Sequence, residues 1–205
     1  MKIEAKCKIC RRLGQKLLWN ERCASGKCAL SRRRVRPGMH GYKPRTLSDY
    51  ARQLIEKQKL RYFYILKENQ LKNIFEKAKK LKEPLPSAII KILESKLDIV
   101  IWRLGYTSSK LQARQLVNHG HFLVNGEKVN IPTYFLKPGD IIEIKPKSKN
   151  LAIFKDLNKK LKSYQIPSWL KINFDNLTGE FNRYPELEEV NLPFDIQLAL
   201  QLYGK

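Results

Sequence analysis

The spacing of apolar positions over residues 96–132 changes period partway along, and each regime predicts a different element. Leu97, Val100, Ile101 and Leu104 recur at i, i+3, i+4 and i+7, one face of a helix, and Gly105 falls where that helix should stop. Ser109 followed by Gln112 has the spacing of a capping box, which predicts a second helix from Lys110 to Gly120. Its apolar Ala113, Leu116 and Val117 share one side, whereas Lys110, Arg114 and Asn118, four apart, share another. The strand-like runs Phe122-Leu123-Val124 and Glu127-Lys128-Val129 then flank Asn125-Gly126, a pair that tolerates the positive φ angles of a type I′ turn. Lys137-Pro138-Gly139-Asp140 is a further turn, leading into a strand over residues 141–144. Two short helices packed on a small antiparallel sheet result, with a cationic face left over.

Helical spacing also governs the region before this unit. A helix over residues 49–66, capped by Thr46 or Ser48, would place Tyr50, Leu54, Ile55 and Tyr62 toward a core. A second, over residues 71–81, carries Leu71, Ile74, Phe75, Ala78 and Leu81, and a third follows Pro84 and Pro86 with Ser87 as its cap and Ile89, Ile90, Ile92 and Leu93 as its stripe. Tyr62, Phe63 and Tyr64 have rings that could stack on bases, but at helical spacing they read as core. Beyond the sheet, residues 145–149 read as a basic connector, residues 167–170 lead into an extended segment, and residues 192–203 form a closing helix. The expected class is α+β, in three parts: an N-terminal segment 1–45, a helical domain 46–95 joined by the tail 175–205, and the helix–sheet unit with its extension, 96–174.

Charge turns this architecture toward a partner. The chain of 205 residues carries 41 Lys and Arg against 19 Asp and Glu, a formal charge of +22. Such an excess repels itself unless a polyanion neutralises it. A membrane surface is the rival polyanion, but no run of about 18 apolar residues occurs and the basic segments are not amphipathic anchors. The N-terminal residues lack the apolar core of a signal peptide, so a cytosolic location is expected. Residues 1–45 hold fourteen Lys and Arg against Glu4 and Glu21, a net of +12, whereas residues 166–205 are net −3. The first segment is expected to lie on nucleic acid, and the last to pack on protein or face solvent.

All four cysteines fall in that basic first segment: Cys7 and Cys10 with two residues between them, then twelve residues, then Cys23 and Cys28 with four between them. Two close pairs across a short loop can bring four thiolates together around one structural zinc ion, with no position left open for catalysis. An iron–sulfur cluster suits the same four thiolates. Disulfides are disfavoured in a reducing cytosol. Arg11 and Arg12 lie between the pairs, and Arg32, Arg33, Arg34 and Arg36 follow them. Arginine forks fit phosphate oxygens, while Pro37, Gly38 and Gly41 permit close backbone approach. His40, Lys43 and Arg45 complete the candidate contacts of this segment. The ordinary alternative for the arginine run is a solvated linker.

The run from Ser108 through Phe122, with its Lys110-Leu111-Gln112-Ala113-Arg114-Gln115-Leu116-Val117 core and His119-Gly120-His121, resembles the S-four RNA-binding module, in the form it takes in the ribosomal S-four family. Leu47-Ser48-Asp49-Tyr50, residues 56–61, Pro37-Gly38-Met39-His40-Gly41 and residues 167–170 resemble the same family outside the module. The resemblance implies a structural protein of the small ribosomal subunit that binds 16S ribosomal RNA directly, nucleates assembly of the subunit body and affects decoding accuracy. It implies contact with proteins S-five and S-twelve, with S-three as a further candidate, and a tail that returns to the helical domain. Some members carry four-cysteine N-terminal segments, and this chain looks like that metal-binding form. The module residues expected on RNA are Arg103, Ser109, Lys110, Arg114, Gln115, His119, His121 and Lys128.

An enzyme is not expected. No nucleophile–histidine constellation or glycine-rich phosphate loop appears, and the enzymes that carry an S-four module add a catalytic domain, for which too little chain remains. A free-standing RNA-rescue or regulatory protein with this module is the alternative, but it leaves the cysteine segment and the helical domain unexplained.

Overall fold

The computed structural model describes residues 6–17, 23, 26–43, 46–155, 157, 161 and 164–203. The chain divides into two compact units, residues 1–89 with 188–205, and residues 90–187.

In the first unit, α1 (Lys6–Leu13) and the short α2 (Ala29–Arg32) precede α3 (Asp49–Phe63) and α4 (Glu68–Lys79). Ser48 caps α3, its hydroxyl accepting from the Ala51 N–H at 3.3 Å. The helix ends three residues before the position that spacing suggests. Ile65 adopts φ 53°, Leu66 N–H donates to Arg61 C=O at 2.9 Å and Ile65 N–H to Tyr62 C=O at 3.3 Å, which is a Schellman closure. A β-branched residue in the left-handed region is costly. Here the cost is offset by burial, since Tyr64, Ile65 and Leu66 are all inaccessible to solvent.

The core of this unit departs from expectation at single positions. Tyr50 is 63 % exposed and Leu81 47 %, whereas Leu60 and Phe63 are the buried residues of α3. Tyr50 lies in the first turn of α3. Leu71, Ile74, Phe75 and Ala78 of α4 are buried as their spacing predicts. The closing helix α9 (Ile196–Leu200) is capped by Asp195, which accepts from the Leu198 N–H at 3.0 Å, and it packs along α3. Phe75 stacks on Tyr203 at 4.2 Å between centroids, and Phe63 meets Phe194 edge-on at 5.6 Å.

The helix α5 (Leu85–Glu94) supplies residues to both units. It begins at Leu85, so Ser87 lies inside its first turn rather than capping it. Pro86 is tolerated there because the first helical N–H groups need no intrahelical partner.

The second unit packs α6 (Leu97–Arg103) and α7 (Lys110–Asn118) on a five-stranded antiparallel sheet. Its strands are β1 (Phe122–Val124), β2 (Glu127–Lys128), β3 (Asp140–Ile144), β4 (Leu170–Asn173) and β5 (Thr178–Phe181), in the order β2-β1-β3-β5-β4. Asn125 and Gly126 have φ 51° and 82°, the two positive values a type I′ hairpin requires. No side chain caps α6; instead Leu97 and Asp98 N–H donate to the carbonyls of Tyr134 and Pro132. Val100, Ile101, Leu104, Ala113, Val117, Phe122, Ile142, Ile144 and Phe181 form the core. The helix–sheet contact is close enough that a Cβ on Gly179 would come within 2.5 Å of Leu104 Cδ1. Residues 146–148 form a 3-10 turn and α8 (Ala152–Lys155) follows, so the basic connector is built into the unit. The mixed helix and antiparallel-sheet class therefore holds.

Candidate RNA-binding surface

In the second unit the cationic face rests on buried carboxylates. Arg103, at the C-terminus of α6, donates from Nε and Nη2 to the two carboxylate oxygens of Glu94 at 3.0 and 2.9 Å. Its guanidinium also lies 4.8 Å from the Trp102 ring and 5.9 Å from that of Trp169. Arg114, on α7, donates from Nη1 to Asp98 Oδ2 at 3.1 Å. Lys96 Nζ approaches Asp98 Oδ1 to 3.1 Å as an ion pair without hydrogen-bond geometry, and donates to Oδ2 at 3.5 Å. Glu94 and Asp98 are 0 % and 1 % exposed, while the two arginines each keep 14 % of their side chains accessible.

The structure separates residues that the sequence grouped on one face. Lys110 is fully buried, with its ammonium 4.5 Å from the Trp102 ring, so it is not a surface contact for RNA in this conformation. Burial pushes its pKa well below the ordinary lysine range, and the Arg103 charge adds to the effect. Burial also lowers Lys96, against the opposing pull of Asp98. Ser109 is buried too, and its hydroxyl accepts from the Gln112 N–H at 3.3 Å as the helix cap. The reciprocal half of the expected box is shifted by one residue, because Gln112 Oε1 accepts from the N–H and hydroxyl of Ser108.

Gln115, His119 and Lys128 are exposed as an RNA-facing role requires. His121 is half-buried, with Nδ1 3.0 Å from Ser148 Oγ and its ring 5.9 Å from that of His119. Burial first, then charge on His119 and Lys145, hold its imidazole below the usual histidine range. Gly120 ends α7 at φ 70°, and a Cβ there would come within 2.2 Å of Lys128 Cε. Gly120→Ala is therefore expected to lower stability by about 1–2 kcal/mol through the left-handed backbone, checked by urea unfolding, with the flexible lysine moving aside.

In the first unit an open groove of about 1260 Å³ lies between residues 11–41 and α3. Arg11, Arg12, Arg34, Arg36, Arg52 and Lys59 line it, with His40 at its rim and Glu56 as its acid. Arg11 and Arg36 are partly committed to the fold. Arg11 donates to the carbonyls of Val35 at 2.9 Å and Arg36 at 3.3 Å, and Arg36 donates to that of Lys43 at 2.6 Å. Arg12, Arg32, Arg33, Arg34, His40 and Lys43 are exposed. Arg45 lies outside the described residues.

The four thiols are unlinked; Cys10 and Cys28 are buried, Cys23 is half-buried and Cys7 is exposed. Burial raises the Cys10 thiol to about 11 against a backbone hydrogen bond with Leu17, and charge on Cys23, Cys28 and Cys7 adds to the rise. Among the described residues, no three Cys, His, Asp or Glu side chains close into a metal-holding group.

Comparison with known families gives the class: an S4 domain joined to a ribosomal S4/S9-type N-terminal domain. Residues 2–94 match the ribosomal protein S4/S9 N-terminal domain and residues 95–142 the S4 domain. The chain is 48 % identical over 200 residues to the small ribosomal subunit protein uS4 of Kosmotoga olearia, covering 97 % of this chain and 96 % of that protein. It is 46 % identical over 200 residues to uS4 of Thermodesulfovibrio yellowstonii and 45 % over 201 residues to uS4 of Thermus thermophilus, with the same coverage. The chain belongs to the uS4 family of small ribosomal subunit proteins.

Proposed function

We propose that this chain is a structural, non-catalytic constituent of the bacterial small ribosomal subunit, cytoplasmic, and bound directly to 16S ribosomal RNA. The observation that carries this reading is its similarity along nearly the whole chain to small-subunit proteins, on a fold that keeps arginines at the surface of both units. Recognition rests on RNA shape and phosphate charge, as suits a protein gripping a folded backbone. In this reading the chain binds early, in the 5′ domain, and nucleates assembly of the subunit body. It meets proteins S-five and S-twelve, with S-three as a further candidate, and influences decoding accuracy.

The reading extends to a structural zinc ion held by Cys7, Cys10, Cys23 and Cys28. It is supported by four thiols, in two close pairs, within one short basic segment. Four thiolates would leave the ion no open position, so it would pin the segment rather than react.

The test of RNA binding is titration of the purified chain against a transcript of the 16S 5′ domain at several salt concentrations. Arg114→Ala is expected to weaken binding and to make log K less dependent on log salt by about 0.9, the loss of one neutralised phosphate. Unchanged affinity and slope would remove Arg114 from the interface.

A further inference from the structure

The chain from Arg36 to Lys43 is a small loop closed on itself. Across its mouth the Arg36 guanidinium donates from Nη2 to the Lys43 carbonyl at 2.6 Å. Within it, the Gly41 N–H donates to Gly38 C=O and the Lys43 N–H to His40 C=O, each at 3.2 Å. Gly38 takes φ 100°, and a Cβ on Gly41 would come within 2.0 Å of the Arg36 carbonyl oxygen, so the closure depends on glycine at both positions. The closed loop holds Met39 and Tyr42 in solvent, 88 % and 81 % exposed, the two most exposed large apolar side chains among the described residues. Single exposed apolar residues are ordinary, but these two share one short loop, and Met39 and the partly exposed Leu47 both line the basic groove of the first unit.

The surroundings select the occupant. Met39 shares the groove with Arg12, Arg34 and Arg52, and Lys43 is exposed on the loop itself. Among the described residues that line the groove, Glu56 is the one acid, and Lys59 Nζ lies 2.6 Å from its carboxylate. An apolar protein surface covering Met39 and Tyr42 would take these cations out of water without opposing charge, which is costly. An RNA duplex would neutralise the cations, but its base faces are stacked inside and could not cover the apolar side chains. An unpaired nucleotide offers both groups, a phosphate for an arginine and a base face for a tyrosine ring.

We propose that the loop 36–43 and the groove it lines bind an unpaired stretch of RNA, with Tyr42 stacked on one base, Met39 packed against another, and Arg12 and Arg34 on the phosphates. The proposal rests on the 16S RNA-binding reading above and adds to it a contact with bases, which phosphate charge and duplex shape do not require. Because the loop is closed before RNA arrives, little ordering is left to oppose the stack.

The experiment titrates the full chain against the 16S 5′-domain transcript, a short single-stranded oligoadenylate and an RNA duplex of equal length, each across a salt series. Circular dichroism checks that the variants stay folded, as substitution of an exposed side chain permits. Tyr42→Ala is expected to weaken binding to the transcript and the single strand about tenfold, the scale of one lost base stack, with the salt slope unchanged. Tyr42→Phe keeps the ring and should bind as the parent does, whereas Tyr42→Leu should bind as weakly as Tyr42→Ala. Arg34→Ala should instead lower the slope on the single strand by about 0.7, the loss of one phosphate. Duplex binding should be insensitive to Tyr42. The proposal is overturned if Tyr42→Ala or Tyr42→Leu retains parental affinity for the transcript and the single strand, the result expected of a protein-docking loop. It is overturned equally if Tyr42→Ala weakens duplex binding as much as single-strand binding, or if Arg34→Ala leaves the slope unchanged. Failure of the parent chain itself to bind the transcript would instead sink the RNA-binding reading.

Discussion

Replacing Asp98 by alanine should lower the stability of residues 90–187 by about 3–5 kcal/mol, the usual loss when one partner of a buried ion pair is removed. Asp98 is 1 % exposed and its carboxylate faces Lys96 at 3.1 Å and Arg114 at 3.1 Å. Without it, Lys96, whose side chain is fully buried, loses its nearest opposing charge. Asp98 also sits in the first turn of α6, where a negative charge favours the helix, so the substitution removes a second, smaller contribution. Urea unfolding followed by circular dichroism measures the loss. A decrease below about 1 kcal/mol would show that the buried network is not what orders the start of α6.

Replacing both Cys7 and Cys10 by serine should abolish metal binding, from one zinc per chain in the parent to none, as read by elemental analysis. For comparable small sites the metal supplies about 10–16 kcal/mol of ordering free energy, far more than a short basic segment could recover by packing. With the segment loosened, Arg11 would no longer be anchored on Val35 and Arg36, and the arginine-lined groove would lose one wall. RNA binding should then weaken and become less salt-dependent, by about 1.8 in slope if two phosphate contacts are lost at roughly 0.9 each. A parent chain that purifies without metal, and binds RNA as its serine variant does, would remove zinc from the account. Visible absorption from iron in place of zinc would move the site to the iron–sulfur alternative.

Local chemistry explains which parts of the molecule were legible from sequence. Ser48 and Ser109 cap helices, and Asn125-Gly126 turns the hairpin, because each needs only neighbours a few residues away. The stripe Leu97, Val100, Ile101, Leu104 likewise needs only helical spacing. What escaped was set by distant partners. Arg103 meets Glu94 nine residues away and Arg114 meets Asp98 sixteen away, neither at a spacing that helix periodicity marks. Lys110 sits at a position that reads as polar, but the Trp102 ring draws its stem inward. The signal that could have found it was Trp102 and Asp98 in the preceding helix, with Glu94 just before that helix. Ile65 closes α3 without the glycine that usually marks a Schellman end, because burial of three consecutive residues outweighs the backbone cost. The pairing of β5 with β3 joins segments far apart in sequence, so the five-stranded extent of the sheet was not visible in either of them.

The most direct test of the account is the stoichiometry of this chain in small ribosomal subunits from its own cell, after a high-salt wash that strips loosely bound proteins. One copy per subunit, remaining with the particle through the wash, is expected of a structural protein bound to 16S RNA. A chain found free of subunits, or released by the wash while other small-subunit proteins stay, would contradict it.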